Sequence, residues 1–299
     1  MNPYSARQFL RAGGFRPSKK LGQNFLVDEN VARKLIRLLE PHENEVFLEI
    51  GAGAGALTLP LAQKGVGVLA VEVDRRLAKI LRAGLKEFPN VEVLEKDVLR
   101  LDVPRLAAGA LTSAGERPDR LQVLGNLPYS ITTQILLFLI RNRRHFGRAL
   151  LTVQKEYAKR LLAKTGTRQY GSITVLARFY AEVESVMTVS PRCFFPAPEV
   201  SSSVLRVTFR GKPAVRVKDE AAFVNVVRAS FSHRRKMVLN SIAERFDLEK
   251  NSVASLFRLA GVDGTKRAEQ LELQELARIA DVFYDEKLEP PPPSSSDDV

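Results

Sequence analysis

The sequence is poor in the residues that build disulfides and metal sites: one cysteine, Cys193, and three scattered histidines, His42, His145 and His233, in 299 residues. A single cysteine excludes an internal disulfide and points to a reducing compartment. The histidines make no zinc-ligand spacing with it, so no metal-dependent mechanism is expected. Long apolar runs are also missing. The longest, Ile135 to Ile140, falls far short of the roughly 20 residues a membrane helix needs, and Arg141 follows at once. Acids are absent from the first twenty residues, which carry Arg7, Arg11, Arg16, Lys19 and Lys20. An Arg-rich, acid-poor start suits an organellar transit peptide. Gly13, Gly14 and Pro17, however, interrupt any long amphipathic helix. The preferred reading is a flexible basic arm, residues 1–18, on a cytoplasmic protein without a secretory segment.

What is present is positive charge. Lys and Arg number 46 against 34 Asp and Glu, a formal net charge of +12. Such a balance favours a polyanionic partner, nucleic acid first and an anionic membrane surface second. Hydrophobic residues make up 45% of the chain, enough for one large domain and a smaller one.

The apolar pattern alternates between strand and helix over the first half. Asp28 to Leu39 has helical spacing at Val31, Leu35, Ile36 and Leu39, with Asp28 as N-cap and Pro41 as terminator. Val46 to Ile50 reads as a buried strand and Ala56 to Lys64 as a helix. Val68 to Val73, Val91 to Leu94, Leu121 to Leu124 and Ala149 to Val153 read as further strands. Helices are expected over Arg75 to Glu87, Ile131 to Ile140 and Glu156 to about Ala163. This alternation predicts a parallel sheet with helices on both faces, an α/β fold. Glu182 to Val189 and Ser203 to Arg210 alternate at period two and should finish the sheet as antiparallel strands. Val103 to Arg120 reads as a loop with at most one short helix. Beyond Gly211-Lys212-Pro213 only helical patterns follow: Ala221 to Ser230, Lys236 to Phe246, Asn251 to Leu259 and Leu273 to Tyr284. The expected organisation is a basic arm over 1–18, an α/β domain over 19–211, an all-helical domain over 212–288 and a disordered low-complexity tail over 289–299.

Gly51, Gly53 and Gly55 follow a strand and open a helix. Glycines there let backbone amides approach a ligand beside a helix N-terminus. Glu72 ends the next strand, where a carboxylate can accept hydrogen bonds from both hydroxyls of a ribose. The pair alone fits either a nicotinamide dinucleotide or S-adenosylmethionine, and it also fits a tight turn without a ligand. Asp97, just beyond the third strand, can accept from the adenine amine of a cofactor; it could equally cap a turn.

Asn126-Leu-Pro-Tyr129 follows the fourth strand, where a nicotinamide enzyme needs no such segment. The N6 lone pair of adenine is delocalised into the ring, so that amine is a poor nucleophile. The Asn126 side-chain oxygen and a backbone carbonyl, most simply that of Leu127, can accept from its two hydrogens and aim the lone pair at an activated methyl. Pro128 stiffens the turn. Tyr129 offers an aromatic face to an extruded base. Catalysis would rest on alignment and electrostatics rather than a strong base. The bland alternative is an Asn-Pro-type turn that packs a tyrosine.

With these segments in place, the sequence resembles the KsgA/RsmA-type small-subunit ribosomal RNA adenine N6-dimethyltransferases. The likeness runs from about Lys19 to Asp285. It rests on five segments: Lys20 to Leu26, Glu49 to Thr58, Gly125 to Ile131, Ser190 to Val204, and Phe231-Ser-His-Arg-Arg-Lys236. The resemblance implies a Rossmann-like class I S-adenosylmethionine methyltransferase domain with a small all-helical C-terminal domain. It further implies that Asn24 and Leu26 line the methionine end of the cofactor, that Gly51 contacts its backbone and that Gly53 belongs to the same cofactor turn. Glu72 would take its ribose, Asp97 its adenine, and Asn126 both cofactor and target amine. Tyr129 and Phe194 would sandwich the target adenine. The implied activity is dimethylation of two adjacent adenines in a hairpin loop near the 3′ end of small-subunit rRNA. The partner would be that RNA or the immature small subunit, and the enzyme a monomer.

Two departures stand out: Ala52 where the family often has proline, and extra length in 103–120. Arg228, Arg234, Arg235 and Lys236 are candidate phosphate contacts, as are Arg141, Arg143, Arg144 and Arg148; a solvated charged face is the alternative. Competing readings are a large-subunit adenine methyltransferase of the antibiotic-resistance type and a methyltransferase-fold factor for transcription or assembly. The former generally has isoleucine in place of Leu127.

Overall fold

The computed structural model describes residues 17–18, 21–112 and 115–291. The basic arm, Pro17 and Ser18 apart, and the tail from 292 lie outside the described residues. The chain divides into two compact units, Met1–Ala158 with Glu182–Phe209, and Lys159–Ala181 with Arg210–Val299.

The first unit is built on a sheet. A two-residue strand, β1 (Phe25–Leu26), precedes its first helix, α1 (Glu29–Leu39). α1 starts where Asp28 accepts from the amides of Asn30 and Val31. Ala32, Leu35, Ile36 and Leu39 give it one buried stripe, and Glu40 ends it in the left-handed conformation at φ 45°. β2 (Val46–Ile50), α2 (Thr58–Ala62), β3 (Gly67–Glu72), α3 (Arg75–Gly84) and β4 (Val91–Glu95) follow. After them come α4 (Val103–Gly109), β5 (Leu121–Asn126), α5 (Thr132–Arg141) and β6 (Phe146–Gln154). β2, β3 and the first five residues of β5 are buried on both faces, which is why they read as largely apolar rather than alternating segments. α2 is shorter than its pattern suggested. The segment expected to be a loop, 103–120, opens with α4, whose N-cap is Asp102.

The sheet has seven strands in the order β4-β3-β2-β5-β6-β9-β7, with β7 (Ala181–Val189) at one edge and β9 (Ser202–Phe209) beside it. β4, β3, β2, β5 and β6 pair in parallel. β9 runs antiparallel to β6, from Arg148↔Thr208 to Gln154↔Ser202, as its alternation predicted. Chain order runs one way from β2 to β4 and the other way from β5 to β6. A crevice therefore opens at the carboxyl ends of β2 and β5, where open α/β sheets bind ligands. A second, two-stranded ribbon joins β1 to β8 (Phe194–Phe195). It clips the segment before α1 to the proline-rich segment before β9.

The second unit is helical. α6 (Lys155–Leu161) leads into it. It holds α7 (Ser172–Tyr180), α8 (Glu220–Ser230), α9 (Val238–Phe246), α10 (Lys250–Ala260) and α11 (Leu273–Asp285). The stretch 159–181, expected with the α/β domain, packs here instead. Phe179 stacks on Phe223 with ring centroids 4.0 Å apart, and Tyr170 meets Phe231 at 5.9 Å. The amides of Arg210 and Ala214 donate to the carbonyls of Tyr180 and Phe179. These interactions carry the helical unit back across the nominal boundary at 211.

Candidate cofactor and target-base site

The crevice is lined by the carboxyl ends of four parallel strands and the turns that follow them: Ile50, Gly51 and Gly53 after β2, Val71 and Glu72 of β3, Lys96 and Asp97 after β4, and Asn126 to Pro128 after β5. Asn24 and Phe25 close it from the amino-terminal side. Of the seven expected cofactor residues, six meet in this one cleft: Asn24, Gly51, Gly53, Glu72, Asp97 and Asn126.

The glycine turn is fastened by backbone and carboxylate together. The amides of Gly51 and Ala52 donate to the Val71 carbonyl at 2.9 and 3.1 Å. Gly51, Gly53 and Gly55 have φ of 72°, 57° and 80°, a region closed to most side chains. At Gly53 the space is also taken: a Cβ would come within 3.0 Å of the Phe25 ring. Ala52 fits the turn and is buried at 5% exposure.

Glu72 serves this turn directly. Its Oε2 accepts from the Gly53 amide and its Oε1 from the Asp74 amide, both at 2.8 Å. Burial pushes its carboxyl above the usual range, and the two amide hydrogen bonds partly oppose that. Each oxygen keeps a further acceptor lone pair. Asp97 is likewise double-purposed: it caps the turn through the Leu99 amide at 3.0 Å while lining the cleft. Beneath the turn lies Glu49, 2% exposed on β2. Burial pushes its carboxyl up to about 8. Thr58 is close enough to favour the charged form, yet Glu49 Oε2 and Thr58 Oγ1 stand outside hydrogen-bonding geometry.

Asn126 supplies the site's most telling atom. Its Nδ2 donates to the Asn24 carbonyl at 2.7 Å, which fixes the orientation of the amide. Its Oδ1 is buried and accepts no hydrogen bond from the described residues. Buried polar atoms are nearly always paired, so an exception lining a cleft calls for a ligand that donates. The following turn is held by Leu127 N to Thr152 O at 3.1 Å and by Thr132 Oγ1 to Pro128 O at 3.1 Å. The Leu127 side chain is 2% exposed and anchors the turn in the core. Tyr129 is half-buried just past the cleft lining, its hydroxyl 2.7 Å from Ser202 Oγ.

Two expected residues are not brought to the cleft by their side chains. Leu26 alternates with Phe25 on a strand, so it turns into the core and lines a separate hollow with Gly55, Ala56 and Leu59. Phe194, paired with Leu26, is 4% exposed in the same core, whereas its neighbour Phe195 is 42% exposed. The sandwich of Tyr129 and Phe194 is therefore not formed by these side chains as they stand. Phe25, Lys96 and Ile131 line the cleft without having been singled out. Period-two alternation pairs Asn24 with Leu26 rather than with Phe25, so it does not flag Phe25.

The basic candidates separate in the same way. Arg144, Arg228 and Arg235 are exposed, with no ion-pair partner among the described residues. Arg234 donates to the Arg168 carbonyl at 2.6 Å, and Lys236 is paired with Glu244. Arg148 is engaged by Glu45 at 2.8 Å and by the Leu39 carbonyl at 2.7 Å, so its role is structural. The Arg143 guanidinium donates to the Ile140 carbonyl at 3.4 Å.

A parallel sheet with this strand order, a glycine turn clamped by a carboxylate and an Asn-Leu-Pro-Tyr turn after β5 define a class I S-adenosylmethionine-dependent methyltransferase. The comparisons with known proteins specify it further. Residues 14–285 match the family described as ribosomal RNA adenine dimethylase. Ribosomal RNA small subunit methyltransferase A of Moorella thermoacetica is 40% identical over 271 residues, 91% of this chain and 94% of the relative. The protein of that name from Shouchella clausii is 39% identical over 284 residues, 94% and 95% of the two chains. Among solved structures, a dimethyladenosine transferase from Plasmodium falciparum superposes with a TM-score of 0.69 at 23% identity, covering 87% of this chain and 98% of that one. The 23S rRNA methyltransferase ErmE gives 0.60 at 26% identity over 87% of this chain and 100% of its own. The chain belongs to the ribosomal RNA adenine dimethylase family.

Among the described residues, no helix is long and apolar enough to cross a membrane.

Proposed function

We propose that this protein transfers methyl groups from S-adenosylmethionine to the N6 amines of two adjacent adenines in a hairpin loop near the 3′ end of small-subunit rRNA. The observation that carries the reading is the buried, unpartnered Oδ1 of Asn126 in a cleft also lined by Gly53, Glu72 and Asp97. The names of relatives covering nine-tenths of the chain favour the small subunit over the large one. The immature small subunit is the substrate in this reading, met in the cytoplasm by a monomeric enzyme.

The cleft residues fit the cofactor. The turn at Gly53 has no room for a side chain, so its backbone can lie close against a ligand. Glu72 would accept from the ribose hydroxyls and Asp97 from the adenine amine, with Asn24 and Gly51 at the methionine end. When bound, the sulfonium supplies an activated methyl and a good leaving group, so no strong base is needed.

The chain's own task is alignment. Asn24 holds the Asn126 amide by its nitrogen and so presents Oδ1 as an acceptor. An adenine amine donating one hydrogen to Oδ1 and another to the Leu127 carbonyl has its lone pair turned out of conjugation. Tyr129 gives the extruded base a stacking face, with its ring steadied through Ser202. The proton leaves to water after methylation, because an alkylated adenine amine bearing a positive charge is strongly acidic. Incubation of unmethylated small subunits with labelled S-adenosylmethionine should give N6,N6-dimethyladenosine in the 3′-terminal hairpin. Cofactor binding without any such product would reject the reading.

A further inference from the structure

A trough on the methyltransferase unit is unused by this chemistry. It runs between α1 and α2, on the far side of the hollow that Leu26 lines, and shares Arg33, Pro60 and Gln63 with that hollow. The adjoining hollow carries Asp28, which is engaged in capping α1, and Glu29. Among the described residues, the trough itself has no acid in its wall. Arg33 and Arg37 come from α1, Lys64 faces them from just beyond α2, and Asn30 and Gln63 add neutral donors.

The three cations are exposed and have no ion-pair partner among the described residues. Some arginines of the same unit are paired, such as Arg76 with Asp74, Arg82 with Glu95, Arg148 with Glu45 and Arg206 with Glu184, and others such as Arg144 are not; what distinguishes these three cations is that they share one concavity. Arg33 is oriented by a neutral acceptor instead, its Nη2 donating to Asn30 Oδ1 at 2.7 Å, which leaves its charge uncompensated. Arg33 and Arg37 are one helical turn apart on one face, where like charges repel. Folding alone gives no reason to gather three unpaired cations in one concavity. A polyanion with regularly spaced charge relieves the repulsion, and the amides of Asn30 and Gln63 suit phosphate or ribose oxygens. None of the exposed large hydrophobic residues lies in the trough, so it lacks the apolar groups that would insert into a lipid surface.

We propose that Arg33, Arg37 and Lys64 form a phosphate-backbone contact for the RNA of the small subunit, on the methyltransferase unit itself. The inference rests on the reading that this RNA is the substrate. Contacts of this kind hold the RNA in register without reading bases.

The test compares the full-length protein with the triple variant R33Q/R37Q/K64Q, measuring affinity for unmethylated small subunits as a function of potassium chloride concentration. Abolishing one phosphate interaction should lower the log–log slope by about 0.7–0.9. The triple variant should therefore fall by about 2 to 3 units, while S-adenosylmethionine affinity by calorimetry stays unchanged. The R33K/R37K variant should keep the wild-type slope. In the unmodified protein, bound subunits should protect Lys64 from an amine-reactive reagent, a readout independent of whether the variants fold. An unchanged slope, or unprotected Lys64 in a saturated complex, overturns the proposal. So does loss of binding to anionic phospholipid vesicles in the triple variant while subunit binding persists. A wild-type protein that neither binds nor methylates subunits overturns the substrate reading, and this inference with it.

Discussion

Replacing Asn126 with alanine separates a residue kept for reaction from one kept for folding. The substitution removes the 2.7 Å hydrogen bond from Nδ2 to the Asn24 carbonyl and leaves that carbonyl short of a partner. A buried group so stranded costs about 1–3 kcal/mol. The same substitution deletes Oδ1, which is already buried and unpartnered. Removing it returns a desolvation cost of similar size, about 1–3 kcal/mol. The two effects oppose each other, so the cofactor-free protein should lose no more than about 1 kcal/mol, a shift in Tm of about 2–4 °C. Turnover should respond very differently. Loss of one preorganised group aimed at the reacting centre typically costs about 10²–10³ in kcat, roughly 3–4 kcal/mol. Affinity for the small subunit should stay within a few-fold, because no basic residue is touched. The assay is single-turnover methylation of unmethylated subunits, with thermal melting and subunit binding measured on the same preparation. Two results would refute the reasoning: a stability loss of several kcal/mol, or equal losses in turnover and subunit affinity.

Other outcomes follow from the same geometry. Burial raises the Glu49 carboxyl to about 8 from an ordinary 4.5, so its contribution to stability is present below about 4.5 and is lost as pH rises toward 8. Melting temperature should accordingly fall between about pH 4.5 and 8, and Glu49→Gln should flatten that fall; an unaltered pH profile in the variant would show that Glu49 is not its source. Gly53→Ala places a Cβ 3.0 Å from the Phe25 ring on a backbone at φ 57°. It should cost about 1–3 kcal/mol of stability and weaken S-adenosylmethionine by tenfold or more in calorimetry, and unchanged cofactor affinity would count against the turn as the cofactor cradle. Arg234→Ala removes a 2.6 Å hydrogen bond to the Arg168 carbonyl. If the residue only braces that loop, Tm drops with the salt slope of subunit binding intact; if it meets a phosphate, the slope falls by about one unit.

Much of the sheet was readable because buried parallel strands advertise themselves. Val46 to Ile50 was delimited to the residue, since a short run that is apolar but for Glu49, between Glu45 and a glycine turn, has few other uses. α7 escaped for the opposite reason: Ile173 through Ala177, with Phe179 and Tyr180, are buried on all sides, so no polar face marks a helical period. The ribbon of Phe25–Leu26 with Phe194–Phe195 is too short to carry any period at all. In the site, residue types were legible where chemistry demands a particular group, as at Glu72 and Asn126. Their partners were not. That Glu72 clamps the Gly53 amide and that Asn24 orients Asn126 are facts of three-dimensional closure between segments 19 and 102 positions apart. The same limit explains Phe194. A motif names the residue, but only the pairing with Leu26 reveals that its ring faces the core.

The small ribbon that clips β1 to β8 also sets an order of assembly. The carbonyl that holds Asn126 in place belongs to Asn24, immediately before β1, and among the described residues β1 has its strand partner in Phe194 and Phe195. During synthesis, roughly 10–30 s separate the appearance of these two strands at ordinary elongation rates. Through that interval the glycine turn, Glu72 and Asn126 can all be in place while the amino-terminal wall of the cleft has no strand partner to close against. A nascent chain halted before Phe194 should thus fold its parallel strands and yet fail to retain the cofactor. Competence to bind would arrive as a late, single event on the growing chain.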